Sequence, residues 1–407
     1  MKKISNIVGI FVLAAIPVLA GCSEDNDVNN TLKPTEIPLT EKTRALVDNG
    51  NNFCCDLLSA VSQLNDDNFV ISPLSVFAMN AMLANSDKGM SREEILNTMG
   101  LDDSPETIKE LNEYCNNMLR SLPKVDDNVT CSFANGIWAA PELNINYNFK
   151  TELAKQFDAE CREVSPSGET GRKDINDWIS LNTSGMISEF IKKPMNNVSF
   201  AILNAVYFDG KWQEKFDKAE TQTAIFHNSD GTESSHMQMQ HNGPANYLTA
   251  ENYEAVSLKY GNGNFEMVMV LPRDKNTDIS SKTAIEAITS DLKDMLPAQI
   301  ELKMPRFEID SELDLIETLK TLGIRAPFDS EYGLNNICSA PIHLEKYSQG
   351  VRIIVNEEGT EASASTITAG QDISPGKATV TFDRPFMFII RETTTGAILF
   401  AGRINKL

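Results

Sequence analysis

The second half of this chain carries six runs suited to β-strands. They are AILNAVYF (201–208), FEMVMVL (265–271), IELKMPRFEI (300–309), VRIIV (351–355), ATVTFDRPFMFII (378–390) and AILFAGRI (397–404). Most are rich in β-branched or aromatic residues, and several lack a polar face, as strands covered on both sides do. The first half has a different period. Leu46, Val47, Phe53, Cys54, Leu57, Leu58 and Val61 recur at helical spacing, and helical patterns follow over 75–86, 92–99, 105–120 and 171–191. In the third of these, Ile108, Leu111, Cys115 and Met118 share a face with Leu122 just beyond it. One further helical pattern, Leu313 to Leu322, interrupts the strands. Helices first and strands later predict an α+β fold. No internal repeat and no shift in composition marks a second domain.

Composition narrows the function. The chain has 407 residues, 41% hydrophobic and 23% charged, values of a globular protein rather than a disordered one. Its net charge of −21 repels phosphate backbones, and no basic cluster carries interleaved aromatics. Nucleic acid is not an expected partner.

The first residues bear on location. Lys2 and Lys3 precede an apolar run, Ile7 to Ala20, too short to span a bilayer as a mature helix. The run ends in Leu19-Ala20-Gly21-Cys22, which resembles a bacterial lipobox. Residues 1–21 are then a lipoprotein signal peptide, and Cys22 is the acylated mature N-terminus. Ser23-Glu24-Asp25-Asn26-Asp27 is similar to the acidic export tag of surface-exposed lipoproteins in some Gram-negative bacteria. Residues 22–40 form the lipidated end and a flexible tether, and 41–407 the folded domain. The expected location is the cell envelope, with the domain lipid-anchored in the outer membrane and exposed at the surface.

A search for catalytic constellations returns negatives. The four histidines have no HExxH spacing, and neither a GxSxG elbow nor a GxxxxGK[ST] loop occurs. Gly168 to Lys173 (GETGRK) has a phosphate-loop look but no preceding buried strand, and it reads as a helix lead-in. Cys54, Cys55, Cys115, Cys131, Cys161 and Cys338 lack zinc-site spacings and read as buried free thiols. No metal, cofactor or enzymatic activity is expected.

Five short segments, taken together, resemble the serpins. Asn68 to Ser75 (NFVISPLS) is similar to NxxxSPxS. Ile175-Asn176-Asp177-Trp178 with Thr183 to Ile187 is similar to INxWVxxxTxGKI, with Met186 in place of Lys. Asn204 to Phe208 with Gly210-Lys211-Trp212 is similar to NAxYFxGxW. Asp383-Arg384-Pro385-Phe386 and Leu399 to Arg403 complete the order. The resemblance covers about residue 44 to Leu407. It implies a helix-rich N-terminal half around a large mixed main β-sheet, smaller sheets, and an exposed reactive-centre loop over about 357–380.

Within that loop, residues 362–371 carry no charge and are built of Ala, Ser, Thr, Ile, Gly and Gln. Such a segment is unusual for a connector but able to form a strand. The resemblance supplies a reason: after cleavage the loop inserts as a new strand of the main sheet. Serpin loop insertion is itself a standard example of strand addition. Glu357, Gly359, Thr360, Ala362 and Ala364 fall on the proximal hinge, and Ser72, Ser75, Asn204, Trp212 and Gln349 on the sheet-opening region. Gln349 stands where many serpins have His. Thr360, Ala362, Ala364, Thr366 and Thr368 alternate inward, and all are small and uncharged.

Family spacing places the scissile bond at Ile373-Ser374. The loop is one residue longer than antitrypsin's, which leaves Asp372-Ile373 as the alternative. Ile373 suits elastase-like or subtilisin-like proteases. The expected partner is therefore a serine protease held in a covalent acyl complex, with the membrane as a second contact through the lipid. The protein is expected to be a monomer. The competing reading is a non-inhibitory serpin-fold binding protein.

Overall fold

A computed structural model describes residues 33–359 and 377–407, apart from 87, 276, 336, 340 and 341. Local chemistry starts the helices. Thr40 caps the first one, α1 (Glu41–Leu64), and Thr40 and Thr43 exchange side-chain and backbone hydrogen bonds. Ser72 caps α2 (Pro73–Ala84), with Pro73 preset for the first turn and all twelve residues buried. Ser104 caps α4 (Pro105–Ser121), whose Leu111, Cys115 and Met118 are buried as their spacing predicts. Between these two lies α3 (Met90–Thr98), and α5 (Tyr147–Phe157) follows. The remaining helices are α6 (Gly168–Asn182), α7 (Lys282–Asp291) and α8 (Ile316–Leu322).

The helical pattern over 171–191 ends early. Ser184 and Gly185 take positive φ, 52° and 80°, and stop α6 at Asn182. Ile187, Phe190 and Ile191 are still buried, because Asn176 binds both the N–H (2.7 Å) and the C=O (3.0 Å) of Ile191. GETGRK opens α6 behind Ser167, as the sequence indicates.

Fourteen strands occur among the described residues. They are β1 (Phe69–Ile71), β2 (Val129–Ala139), β3 (Glu160–Arg162), β4 (Phe200–Gly210), β5 (Gln222–His227), β6 (Glu233–Thr249) and β7 (Tyr253–Tyr260). The rest are β8 (Phe265–Pro272), β9 (Leu296–Pro305), β10 (Phe307–Asp314), β11 (Lys346–Val355), β12 (Lys377–Thr381), β13 (Phe386–Glu392) and β14 (Ile398–Ile404). Two predicted runs are each two strands. IELKMPRFEI divides at Arg306 into β9 and β10, which lie in different sheets. ATVTFDRPFMFII divides before Pro385, where the ring has no N–H for a ladder.

One sheet has nine strands in the order β1-β14-β13-β8-β7-β6-β9-β12, with β5 added on β6. The other has five, in the order β10-β11-β4-β2-β3. Within the five-stranded sheet, β10 is antiparallel to β11 and β4 is antiparallel to β2. Its middle pair, β11 with β4, is parallel from Lys346↔Ala201 to Arg352↔Tyr207.

A small second core lies under α6, where Trp138 and Trp178 meet edge-on at 5.0 Å among Ile175, Ile179, Ile187 and Phe190. None of the six described cysteines forms a disulfide; four are buried, and Cys161 and Cys338 are partly so. Residues 33–40, which the sequence reading assigns to the tether, pack in part against the domain. Ile37 is buried in the core, and Thr35 exchanges two backbone hydrogen bonds with the Asn264 side chain. Cys22 lies outside the described residues.

Candidate functional site at the strand seam and the loop root

The parallel pair β4–β11 is a seam with a polar lock at its centre. Gln349 on β11 and Asn204 on β4 are register partners. The Gln349 amide N–H₂ donates to Asn204 Oδ1 (2.9 Å) and to the Ser72 carbonyl (3.1 Å), while its Oε1 accepts from Ser72 N–H (2.8 Å). Asn204 in turn donates to the Ala134 carbonyl (3.1 Å) and to Asn135 Oδ1 (3.0 Å) on β2. Asn135 reaches the Phe157 carbonyl at 3.0 Å. Ser72, Asn204, Gln349 and Asn135 are all essentially buried, so every bond in the chain replaces one to water. Ser75 sits one turn into α2 and donates its N–H to Ser72 Oγ at 3.4 Å. Its own hydroxyl is buried and has no partner among the described residues.

Trp212 belongs to a different cluster, at the end of β4. It stacks on Tyr260 at 4.2 Å and 11°, and Phe216 meets it edge-on at 6.1 Å. This aromatic group holds the root of the candidate loop. Trp212 Nε1 donates to the Asn356 carbonyl (2.9 Å), Trp212 N–H to the Glu358 carbonyl (3.1 Å), and Phe216 N–H to the Glu357 carbonyl (3.0 Å).

The two hinge acids are tied down as well. Glu357, 5% exposed, accepts from Thr221 Oγ1 at 2.9 Å, with Arg306 3.8 Å away. Glu358 lies between Lys215 and Lys218, each 2.7 Å off, and their hydrogen bonds pull its carboxyl pKa down to about 2. Gly359 adopts φ +118°, and a Cβ there would sit 2.3 Å from the Gly210 carbonyl oxygen. Only glycine fits.

The sequence-derived residues thus fall into two groups. Ser72, Ser75, Asn204 and Gln349 meet at the seam, whereas Trp212, Glu357 and Gly359 meet at the loop root. Thr360, Ala362, Ala364, Asp372, Ile373 and Ser374 lie outside the described residues. The sequence reading missed Asn135, Tyr260, Lys215 and Lys218. Lys211 to Lys218 (KWQEKFDK) is a cation-rich segment opposite an acidic hinge, and that was the available signal for the two lysines.

A family model described as serpin (serine protease inhibitor) matches residues 48–407. The chain belongs to the serpins. Its curated relatives include intracellular coagulation inhibitor 1 of Tachypleus tridentatus, 28% identical over 398 residues, covering 93% of this serpin and 94% of the relative. Tengpin, a thermophilic serpin solved in its native state, superposes with a TM-score of 0.79 at 23% identity, over 92% of this chain and 96% of tengpin. Human thyroxine-binding globulin, solved in complex with thyroxine, gives a TM-score of 0.80 at 20% identity, over 90% and 99% of the two chains. These two likenesses show the serpin fold.

Proposed function

We propose that this serpin is an irreversible suicide-substrate inhibitor of serine proteases, acting by cleavage near Ile373-Ser374 and insertion of the loop into the five-stranded sheet. The seam is the observation that carries the reading. Strands β4 and β11 are parallel and directly paired, and the loop begins within five residues of the end of β11. A chain that reverses after β11 and slips into the seam runs antiparallel to both neighbours. It exchanges one parallel ladder for two antiparallel ones, which are slightly more stable per residue. If about ten backbone bonds are gained at a net ~1 kcal/mol each, insertion yields on the order of 10 kcal/mol. That is comparable with the whole stability of a domain, so the uncut form is held by a barrier.

The chemistry belongs to the protease. Its serine oxygen attacks the Ile373 carbonyl, the Ser374 amine leaves, and an ester joins the two proteins. Insertion must then outrun hydrolysis of that ester. Because thyroxine-binding globulin shares the fold, fold alone does not choose between inhibition and ligand carriage. The hinge supports inhibition: Thr360, Ala362, Ala364, Thr366 and Thr368 are small and uncharged on the side that would enter the sheet. Ile373 favours elastase-like or subtilisin-like targets, and a cut after Asp372 would suit an aspartate-specific one.

The fragment from Ser374 to Leu407 contains β12, β13 and β14, and β13 lies between β8 and β14 in the nine-stranded sheet. Cleavage therefore leaves that fragment bound until the protein is denatured. The test is incubation with a protease panel, denaturing gels for a covalent complex, and N-terminal sequencing of the fragment. Complete hydrolysis without a complex across the panel would favour the binding-protein reading.

We also propose that Cys22 is acylated and anchors the domain at the outer membrane, facing outward. The lipobox-like end of the leader supports this. If the twelve residues from Ser23 to Pro34 act as a flexible tether, a chain of that length would span about 20 Å, enough to clear headgroups. Cys22→Ala should displace the protein from the membrane fraction; a wild type that is soluble and without lipid would refute the anchor.

A further inference from the structure

A cavity lies away from the seam and the loop root, between the turn that follows β8 and the ends of β13 and β14. Its volume of about 130 Å³ is too small for a drug-sized ligand. Its lining has two characters. Ile279 and Phe386, both buried, form an apolar floor together with Pro385. Lys275, Arg384 and Arg403 supply positive charge, on a chain whose net charge is −21.

Backbone carbonyls hold the two guanidinium groups in place. Arg384 donates from Nε (3.2 Å) and Nη2 (2.8 Å) to the Pro272 carbonyl, and from Nη1 to Asp383 at 3.0 Å. Arg403 donates from Nη2 to the Asn65 carbonyl at 2.6 Å and lies 5.6 Å over the Phe69 ring. Among the described residues no carboxylate comes within ion-pair distance of Arg403. Burial lowers its pKa, with Asp66 and Asp278 offsetting part of the effect, and its buried Nε has no hydrogen-bond partner among the described residues. Asp278, also in the lining, accepts the N–H and hydroxyl of Ser280 at 2.8 Å and keeps a negative charge that offsets part of Arg403's.

We propose that this cavity is a binding site for a small monocarboxylate, with the carboxylate facing Arg384 and Arg403 and a short alkyl tail on Ile279, Pro385 and Phe386. A carboxylate would accept from the guanidinium N–H groups left over after the bonds to Pro272, Asp383 and Asn65, and the small volume favours a short acid. An inorganic oxyanion would satisfy the cations but leave the apolar floor wet. The proposal is independent of protease inhibition, because it uses no residue of the seam, hinge or loop.

The experiment is thermal melting and calorimetric titration of the uncut full-length protein with sodium butyrate, and with sodium phosphate and sodium chloride at equal ionic strength. Butyrate should raise the melting temperature in a saturable manner, since a ligand bound only to the folded state stabilises it by mass action. Chloride should not. Lys275→Glu, a rim substitution, should weaken butyrate at least threefold. Ile279→Ala should weaken butyrate more than acetate, because only the longer tail reaches the floor. Equal responses to butyrate and chloride would overturn the site. A phosphate response equal to that of butyrate would overturn the carboxylate assignment, and unaltered butyrate binding in both variants would overturn the location.

Discussion

Gln349 and Asn204 join side chains at 2.9 Å across the parallel seam of β11 and β4, in a place almost closed to water. The bond is coupled to Ser72 on one side and Asn135 on the other, so the amide spans the point that a new strand would have to part. Gln349→Ala strands the Asn204 oxygen and the Ser72 N–H, while the Ser72 carbonyl keeps its bond from Val76 N–H. Each buried orphan costs about 1–3 kcal/mol, so the uncut protein should lose roughly 2 kcal/mol or more. Denaturant melts of the uncut protein check this. A loss under 1 kcal/mol would mean that the chain is not what closes the seam.

The loop root should be equally sensitive at Gly359. Alanine there would combine an unfavourable φ of +118° with a Cβ 2.5 Å from Trp212 N. Forcing it in costs about 2 kcal/mol of strain or breaks the root away from Trp212. Gly359→Ala should therefore raise the tryptophan accessibility of the uncut protein and speed its spontaneous loss of inhibitory activity. Quenching of Trp212 fluorescence by iodide, with the other two tryptophans replaced, is the measurement.

Retention of the C-terminal fragment gives a third expectation. After cleavage at Ile373-Ser374, size-exclusion chromatography in native buffer should show one species of unchanged mass. Denaturing gels should show two chains. Co-elution failing in native buffer would mean that β13 and β14 depend on the intact loop for their place.

Much of this was legible from residues. The faces of α1 and α4 follow from Leu57, Leu58, Leu111 and Met118, and burial confirms them. The overrun past Asn182 has a physical cause: Ile187, Phe190 and Ile191 keep helix-like apolar spacing but are packed by Asn176, a tertiary contact with no local signal. The break at Arg306 was hidden for a similar reason, since Phe307 goes on to pair with Val355 in the other sheet. Motifs marked Asn204 and Gln349 as residues of one region. That they touch, 145 positions apart in sequence, depends on the β4–β11 register. The two lysines at Glu358 had only a weak signal, the cation-rich run Lys211 to Lys218 opposite an acidic hinge, because pairing between charges carries no periodicity.

Acid should weaken the folded protein through two buried histidines. Burial lowers the pKa of both His236, near Asp383, and His241, near Glu214 and edge-on to Phe216. A depressed histidine pKa means that the unfolded chain takes up the proton first. The neutral rings favour the fold above about pH 6.5, and that contribution falls away as pH drops through the unfolded value toward the folded one. Melting temperature should decline between pH 7.5 and 5.0, and His241→Gln should flatten part of the decline. A flat wild-type profile would show that the rings are charged or solvated in the fold.

Thr360 offers the most direct separation of inhibitor from substrate. It follows Gly359 at the loop root, and under the proposed insertion it is the first of the small residues that would alternate toward the sheet interior. Arginine there should leave the uncut fold almost unchanged. During insertion the guanidinium would have to leave water unpaired, at a penalty of several kcal/mol. Each 1.4 kcal/mol added to the insertion barrier slows that step about tenfold. Hydrolysis of the acyl-enzyme would then win. The measurement is the number of inhibitor molecules consumed per protease inactivated, paired with the melting temperature of the cleaved protein. Wild type should stay near one-to-one and gain heat resistance on cleavage, while Thr360→Arg should be consumed in excess and gain little. Inhibition by the variant equal to wild type would rule out loop insertion as the mechanism.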